Sequence, residues 1–241
     1  MVIVRASVRR LEQMLFARTK PHRIIRSPFP AACRMIISHQ HRFVFAAIPK
    51  TGTHSVRQAL REHMSAEDLE QVGLFVNKRF PFEELAAIKH GHITLQQIRP
   101  YMGEEAFAGY LKFAFVRNPF DRFVSYCAFM TRANDAFGRD PQGVMRHILF
   151  QVRPLQHILF VPQHTFVTDD EGRMLADMVG RVEDMQTSYD AICARLGIPS
   201  RPLDQVNSSR RGSYRDYYDQ ELIDGVTELY GRDLDLFGYQ F

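Results

Sequence analysis

The sequence predicts an α/β fold with a central, mainly parallel sheet flanked by helices. Two predominantly apolar runs, residues 43–48 and 112–116, are typical of strands buried on both faces. Each run ends in a polar loop that leads into a helical pattern, and strands that alternate with helices build parallel sheets. Residues 178–182 are interpreted as a third core strand, and residues 184–196 as an amphipathic helix that follows it.

The other elements are predicted from local signals. A helix follows the first strand, Thr94 is placed to cap another helix, and Pro119 suits the first position of the helix after the second strand. A hairpin is predicted over residues 163–175, turning at residues 169–172. Further helices are predicted over residues 82–88, 141–151 and 216–230.

The composition is that of an ordinary globular protein. The 241 residues are 45% hydrophobic and 24% charged, which is enough for a sizeable core. We expect a basic N-terminal arm over residues 1–30 and one domain over residues 31–241. The arm lacks the apolar core of a signal peptide, and no run is long enough to span a bilayer. These features favour a cytoplasmic location, with peripheral membrane contact as one role open to the arm.

Charge and cysteine content limit the classes of ligand that we expect the protein to bind. A net charge of +4 suits an anionic ligand such as a nucleotide, but no dense Lys/Arg run follows residue 30, which argues against nucleic acid as a partner. Cys33, Cys127 and Cys193 are far apart and form no CxxC pair, so we expect no metal site. Cys127 and Cys193 are expected to be buried thiols.

The loop after the first strand is the first candidate site. It leads into a helix N-terminus, whose backbone N–H groups and positive dipole end favour a phosphate. Gly52 allows close approach of the backbone, and Lys50 adds a charge. The loop is not a Walker A motif, because its lysine precedes its glycine. The candidate ligands of the phosphate are Pro49, Lys50, Thr51, Gly52, Thr53, His54 and Ser55.

The second candidate site follows the second strand. Ligands of open α/β sheets bind at the carboxyl ends of strands, where Arg117 lies. A guanidinium binds phosphate through two parallel hydrogen bonds, and Ser125, on the following helix, can donate to the same group. Asp121 and Arg122 are interpreted as structural ion-pair partners.

Together the two segments resemble the 5′-phosphosulfate loop and the 3′-phosphate motif of the sulfotransferases that use 3′-phosphoadenosine 5′-phosphosulfate (PAPS). The resemblance spans residues 43–241 and includes Arg-Val-Glu-Asp-Met at 181–185 and the ending at 235–241. It is closer to the carbohydrate sulfotransferase branch, which includes heparan sulfate 2-O-sulfotransferase and bacterial relatives. This resemblance implies a P-loop-like, three-layer fold.

The resemblance also implies roles for the site residues. Lys50 would stabilise the bridging oxygen of the phosphosulfate, and the loop would hold the 5′-phosphate. Arg117 and Ser125 would bind the 3′-phosphate, and Arg210 or Arg211 would close over that side.

Two histidines have open roles. His54 stands where the family usually has Thr or Ser, so it either contacts the donor phosphate or only makes a local hydrogen bond. His90-Gly91-His92 is similar to a stretch that carries the base in the 2-O-sulfotransferase branch, at its second histidine. His92 is therefore the candidate base. The alternatives are a metal ligand and a packing or capping histidine.

The reaction so implied is an in-line transfer of a sulfuryl group from PAPS to a hydroxyl, with adenosine 3′,5′-bisphosphate (PAP) as the product and no metal. The expected acceptor is a glycan or glycolipid. Two other functions are possible: a nucleotide kinase with an atypical phosphate loop, and a nucleotide-binding regulatory module without turnover. The lack of an evident acidic magnesium ligand after a strand argues against the kinase.

Overall fold

The computed structural model describes residues 35–70, 82–86, 88, 92–204 and 212–241. The basic arm at residues 1–30, Cys33, His90 and the pair Arg210 and Arg211 lie outside these residues. The described residues within 35–117 and 163–204 form one compact unit, and residues 118–162 and 212–241 form another. None of the helices in these ranges combines the length and the apolar character needed to cross a membrane.

Among the described residues, five strands form one sheet in the order β3-β1-β2-β4-β5. β4 pairs parallel with both β2 and β5, whereas β1 pairs antiparallel with both β2 and β3. Four of these five strands therefore run in the same direction, which confirms the predicted α/β fold with a mainly parallel sheet. The strands are β1 (Ile36–Ser38), β2 (Phe43–Ala46), β3 (Leu69–Glu70), β4 (Leu111–Val116) and β5 (Met178–Arg181).

The described residues of both units also form α-helices. In chain order they are α1 (Thr53–Arg61), α2 (Glu83–Ala86), α3 (Leu95–Met102), α4 (Glu104–Gly109), α5 (Pro119–Met130), α6 (Ala136–Arg139), α7 (Pro141–Arg146), α8 (Met185–Leu196) and α9 (Gln220–Phe237). The sequence signals at several helix ends are confirmed. Thr94 and Gln97 exchange the two hydrogen bonds of a capping box, and Pro119 is the first residue of α5.

Phenylalanines of β2 and β4 form the core of the sheet unit. Phe45 lies opposite Phe113 in the parallel ladder, and their rings stack with centroids 5.3 Å apart. Alternate residues of a strand point to the same face, so Phe43 and Phe115 extend this layer. Helices α1 and α8 cover it with Val56, Leu60, Tyr189, Ile192 and Cys193. The core thereby fixes where β2 and β4 end, and with them the loops that follow.

Five predicted elements differ from the structure. Residues 163–175 do not form an extended hairpin, because Gln163–Phe166 is a 3₁₀ turn and a single bridge, Thr168 to Met174, precedes β5. β5 is the last strand of the sheet order and is half-exposed at Met178, so it is not a core strand. The remaining differences concern three helices: α2 is shorter than predicted, α7 continues as a π-helix over His147–Val152, and α9 begins at Gln220.

The second unit is organised around the start of α5. The Asn118 side chain caps this helix by accepting a hydrogen bond from the Phe120 N–H at 3.0 Å, and it donates to the Gln240 carbonyl at 2.8 Å. Arg122, predicted to form an ion pair, is buried and donates to the Val161 carbonyl at 3.0 Å. Asn118 and Arg122 thus stabilise the backbone of this unit.

Candidate functional site

The structure brings the two predicted loops together at one edge of the sheet. β2 and β4 are parallel neighbours, so the segments that follow them leave the sheet on the same side. The Arg117 Nη1 lies 3.5 Å from the Lys50 carbonyl oxygen, at the long limit of a hydrogen bond. The Arg117 guanidinium therefore lies beside the main chain of the loop that carries Lys50, 67 positions away in the chain.

The loop after β2 is held in a strained, closed conformation. Lys50 has a φ of 68°, in the left-handed region that costs a non-glycine residue about 1–2 kcal/mol. Thr51 is buried, and its hydroxyl donates to the Ile48 carbonyl at 2.9 Å. This hydrogen bond closes the turn around Lys50. Strain of this kind persists only where the surroundings over-determine the backbone, and it concentrates at functional sites.

Gly52 completes the loop and is the N-cap of α1. Its φ of 65° lies in the same left-handed region, and a β-carbon here would overlap the terminal methyl group of Met185. The methionine end is flexible, so the backbone conformation is the stronger reason for glycine. Of the following residues, Thr53 and Ser55 are buried and His54 is exposed. The loop thus places Lys50 directly before the N-terminus of α1, and a helix N-terminus is suited to an anion.

The main chain of Arg117 is fixed by a side chain that the sequence analysis missed. Gln163 is fully buried, and its Oε1 accepts a hydrogen bond from the Arg117 N–H at 2.9 Å while its Nε2 donates to the Arg117 carbonyl at 2.8 Å. The amide thereby takes the place of a strand residue beside Arg117. No local pattern in the sequence indicates this contact, because the two residues are 46 positions apart.

His92 lies beside the start of the loop. Its ring is buried, and Nδ1 is 2.7 Å from the carbonyl oxygen of Ala47, the residue after β2. A carbonyl only accepts hydrogen bonds, so Nδ1 must carry the proton. A neutral His92 then has its lone pair on Nε2. The residue that caps α3 is Thr94, so the structure does not support the alternative in which His92 is a capping residue.

The other predicted site residues are Ser125, Pro49 and the pair Arg210 and Arg211. Ser125 is buried on α5 of the other unit. Arg210 and Arg211 are outside the described residues. Pro49 is buried directly before Lys50.

Comparison with protein families matches residues 33–240 to the Sulfotransferase family. The match covers most of the chain, which therefore belongs to this family, whose members transfer sulfuryl groups. Comparisons with curated proteins and with solved structures give no match.

Proposed function

We propose that this sulfotransferase takes its sulfuryl group from PAPS and transfers it to a hydroxyl of a carbohydrate or glycan. The observation that supports this most is the contact between the Arg117 guanidinium and the Lys50 main chain, in the segments that follow two neighbouring parallel strands. PAPS carries anionic groups at both its 5′ and 3′ positions, so a site for it needs cationic side chains from two segments. The loop and the end of β4 supply them.

Each residue has a distinct role in the proposed reaction. The loop backbone at the start of α1 holds the 5′-phosphate, and Lys50 stabilises the negative charge that develops on the bridging oxygen. Arg117, together with Ser125, binds the 3′-phosphate, and Arg210 or Arg211 covers that side. The oxygen of the acceptor forms a bond to sulfur while the bond from sulfur to the bridging oxygen breaks, and PAP leaves with that electron pair.

His92 takes the proton of the acceptor hydroxyl. The hydrogen bond from Nδ1 to the Ala47 carbonyl orients the ring and leaves Nε2 to accept the proton. The imidazolium that forms still donates to the same carbonyl, so the anchor is preserved throughout the step. The choice of a carbohydrate acceptor rests on the resemblance of the segment ending at His92 to the carbohydrate branch.

Donor binding and transfer test the proposal separately. Calorimetry should give a micromolar dissociation constant for PAP, about −8 kcal/mol, and weaker binding of adenosine 5′-phosphate, which lacks the 3′-phosphate. Incubation with sulfur-labelled PAPS and a panel of glycans, lipids and small hydroxyl compounds should label a glycan. Equal affinity for the two nucleotides contradicts the assignment of Arg117. Labelling confined to a non-carbohydrate acceptor contradicts the acceptor class alone.

A further inference from the structure

His54 makes a hydrogen bond that determines which of its nitrogens carries a proton. The Arg57 Nη2 lies 3.2 Å from the His54 Nδ1, one helical turn along α1. A guanidinium has only donors and does not lose its proton in proteins. The His54 Nδ1 must therefore accept, and a protonated ring would set one N–H against another. A neutral imidazole that accepts at Nδ1 carries its single proton on Nε2.

Arg57 in turn forms an ion pair with a carboxylate of the sheet edge, at a distance beyond that of a hydrogen bond. Arg57 and Glu70 are both buried, and the Arg57 Nε lies 3.6 Å from the Glu70 Oε1. Arg61 donates through its Nε to both oxygens of the same carboxylate, at 2.9 and 3.0 Å. A buried guanidinium is costly unless a charge offsets it, so Glu70 on β3 is what allows Arg57 to lie inside the unit.

Glu70, Arg57 and His54 form a series of contacts that connects the sheet edge with the first turn of α1. Its last member, His54, is an exposed residue on the first turn of α1, where backbone N–H groups already favour an anion. With Nδ1 accepting from Arg57, the ring carries an uncharged N–H donor at the start of α1, directly after the loop that contains Lys50. His92 has the opposite arrangement, because its Nδ1 donates and its Nε2 accepts.

From these contacts we infer that Glu70 and Arg57 are positioning residues, which hold His54 as a neutral Nε2–H donor to a 5′-phosphate oxygen of the nucleotide. The inference rests on the proposed function for its ligand. It decides between the two roles that the sequence leaves open for His54. It also assigns a function to Arg57 and Glu70, which carry no motif of their own.

The tautomer is measurable without any nucleotide. In protein labelled with ¹⁵N-histidine, the imidazole signals of His54 are assigned by their loss in His54→Gln. At neutral pH we expect the neutral form with its proton on Nε2. A ring protonated on Nδ1, or on both nitrogens, overturns the inference whatever the protein binds.

Binding of PAP tests the role of the donor. His54→Ala should weaken PAP binding about tenfold, the loss typical of one hydrogen bond to a charged group. His54→Gln, whose amide N–H lies near the position of Nε2, should stay within about threefold of wild type. Arg57→Gln should weaken binding like His54→Ala, but should cause no further loss when His54 is already alanine.

A matched control separates positioning from folding. Arg61→Gln removes another partner of the same Glu70 carboxylate, and should leave PAP affinity unchanged because Arg61 is at the opposite end of α1 from His54. Equal affinities of wild type and His54→Ala overturn the inference but leave the proposed function intact. Wild-type protein that does not bind PAP overturns the proposed function, and with it the ligand assigned to His54.

Discussion

The side-chain amide of Gln163 forms two hydrogen bonds with the main chain of Arg117, one through its oxygen and one through its nitrogen. A buried amide that both donates and accepts in this way holds a backbone as the neighbouring strand of a sheet would. The direction in which Arg117 leaves β4, and so the placement of its guanidinium near Lys50, depends on a residue from a different segment of the chain.

Gln163→Ala should lower affinity for PAP about tenfold, because the Arg117 backbone loses both partners and its guanidinium loses its fixed direction. Affinity for adenosine 5′-phosphate should change little, since that ligand lacks the 3′-phosphate. The ratio of the two affinities, measured by calorimetry, is the readout. Gln97→Ala is the control, because it removes a helix cap without contacting Arg117. A ratio that stays at the wild-type value in Gln163→Ala argues against this role.

A comparison of Lys50→Ala with Lys50→Gly should separate the effect of Lys50 on turnover from its effect on stability through backbone strain. Both variants lose the ammonium group that stabilises the leaving oxygen, so turnover should fall on the order of a hundredfold or more. Glycine adopts a positive φ without a steric penalty. Because the φ of this position is 68°, Lys50→Gly should be more stable than Lys50→Ala by about 1 kcal/mol.

Chemical denaturation and steady-state kinetics check the two effects independently. Near-wild-type turnover in either variant would remove Lys50 from the chemical step. A Lys50→Ala protein as stable as Lys50→Gly would mean that the loop relaxes to another conformation when the lysine is replaced.

His92→Asn should abolish most turnover while preserving the anchor of the loop. The asparagine N–H can still donate to the Ala47 carbonyl, but nothing remains at the position of the basic Nε2. Loss of a general base typically costs about 10²- to 10⁴-fold in turnover. PAP affinity should remain near wild type. The matched control is His147→Ala, a histidine that bonds within its own π-helix. A fully active His92→Asn enzyme would show that the base is another residue.

Asp68 should give the stability of the sheet unit a dependence on acid pH. Burial raises the pKa of Asp68, but hydrogen bonds from Ser65, Gln40, Ser38 and His39 together outweigh it, so the pKa lies below its ordinary value. The unfolded chain therefore binds a proton more readily than the folded one. The stabilisation is complete above about pH 4, the ordinary aspartate value, and is lost as pH falls through the lower folded-state pKa.

Asp68→Asn should destabilise the protein by about 2 kcal/mol near neutral pH, the scale of lost hydrogen bonds to a charged group. The difference from wild type should shrink on acidification, because the wild-type carboxylate then also becomes protonated. Urea denaturation at pH 7 and in the acid range provides both values. A difference that is constant with pH would mean that the carboxylate charge contributes nothing.

The parts of the fold that were predicted correctly depend on residues that are neighbours in the sequence. The strand at Phe43 and the strand ending at Val116 are uninterrupted apolar runs, and the helices after them begin at residues with capping or N1 preferences. Strands β1 and β3 were missed because three and two residues are too short to show a period. The hairpin predicted over residues 163–175 was wrong in its extent. Its turn is present, with one bridge from Thr168 to Met174, but Gln163 bonds to the main chain of Arg117 and not to a facing strand.

The sequence by itself determined the sulfotransferase family, the parallel core and the two segments that carry Lys50 and Arg117, because strand–loop–helix patterns depend on neighbouring residues. Only the tertiary structure decided how those segments are held. Gln163 at Arg117, Glu70 at Arg57 and Ala47 at His92 are contacts between residues 13 to 46 positions apart. A buried polar group must find a hydrogen-bond partner, but which group it finds depends on the packing of the sheet and its helices. The same packing decides which ring nitrogen carries the proton in His54 and in His92.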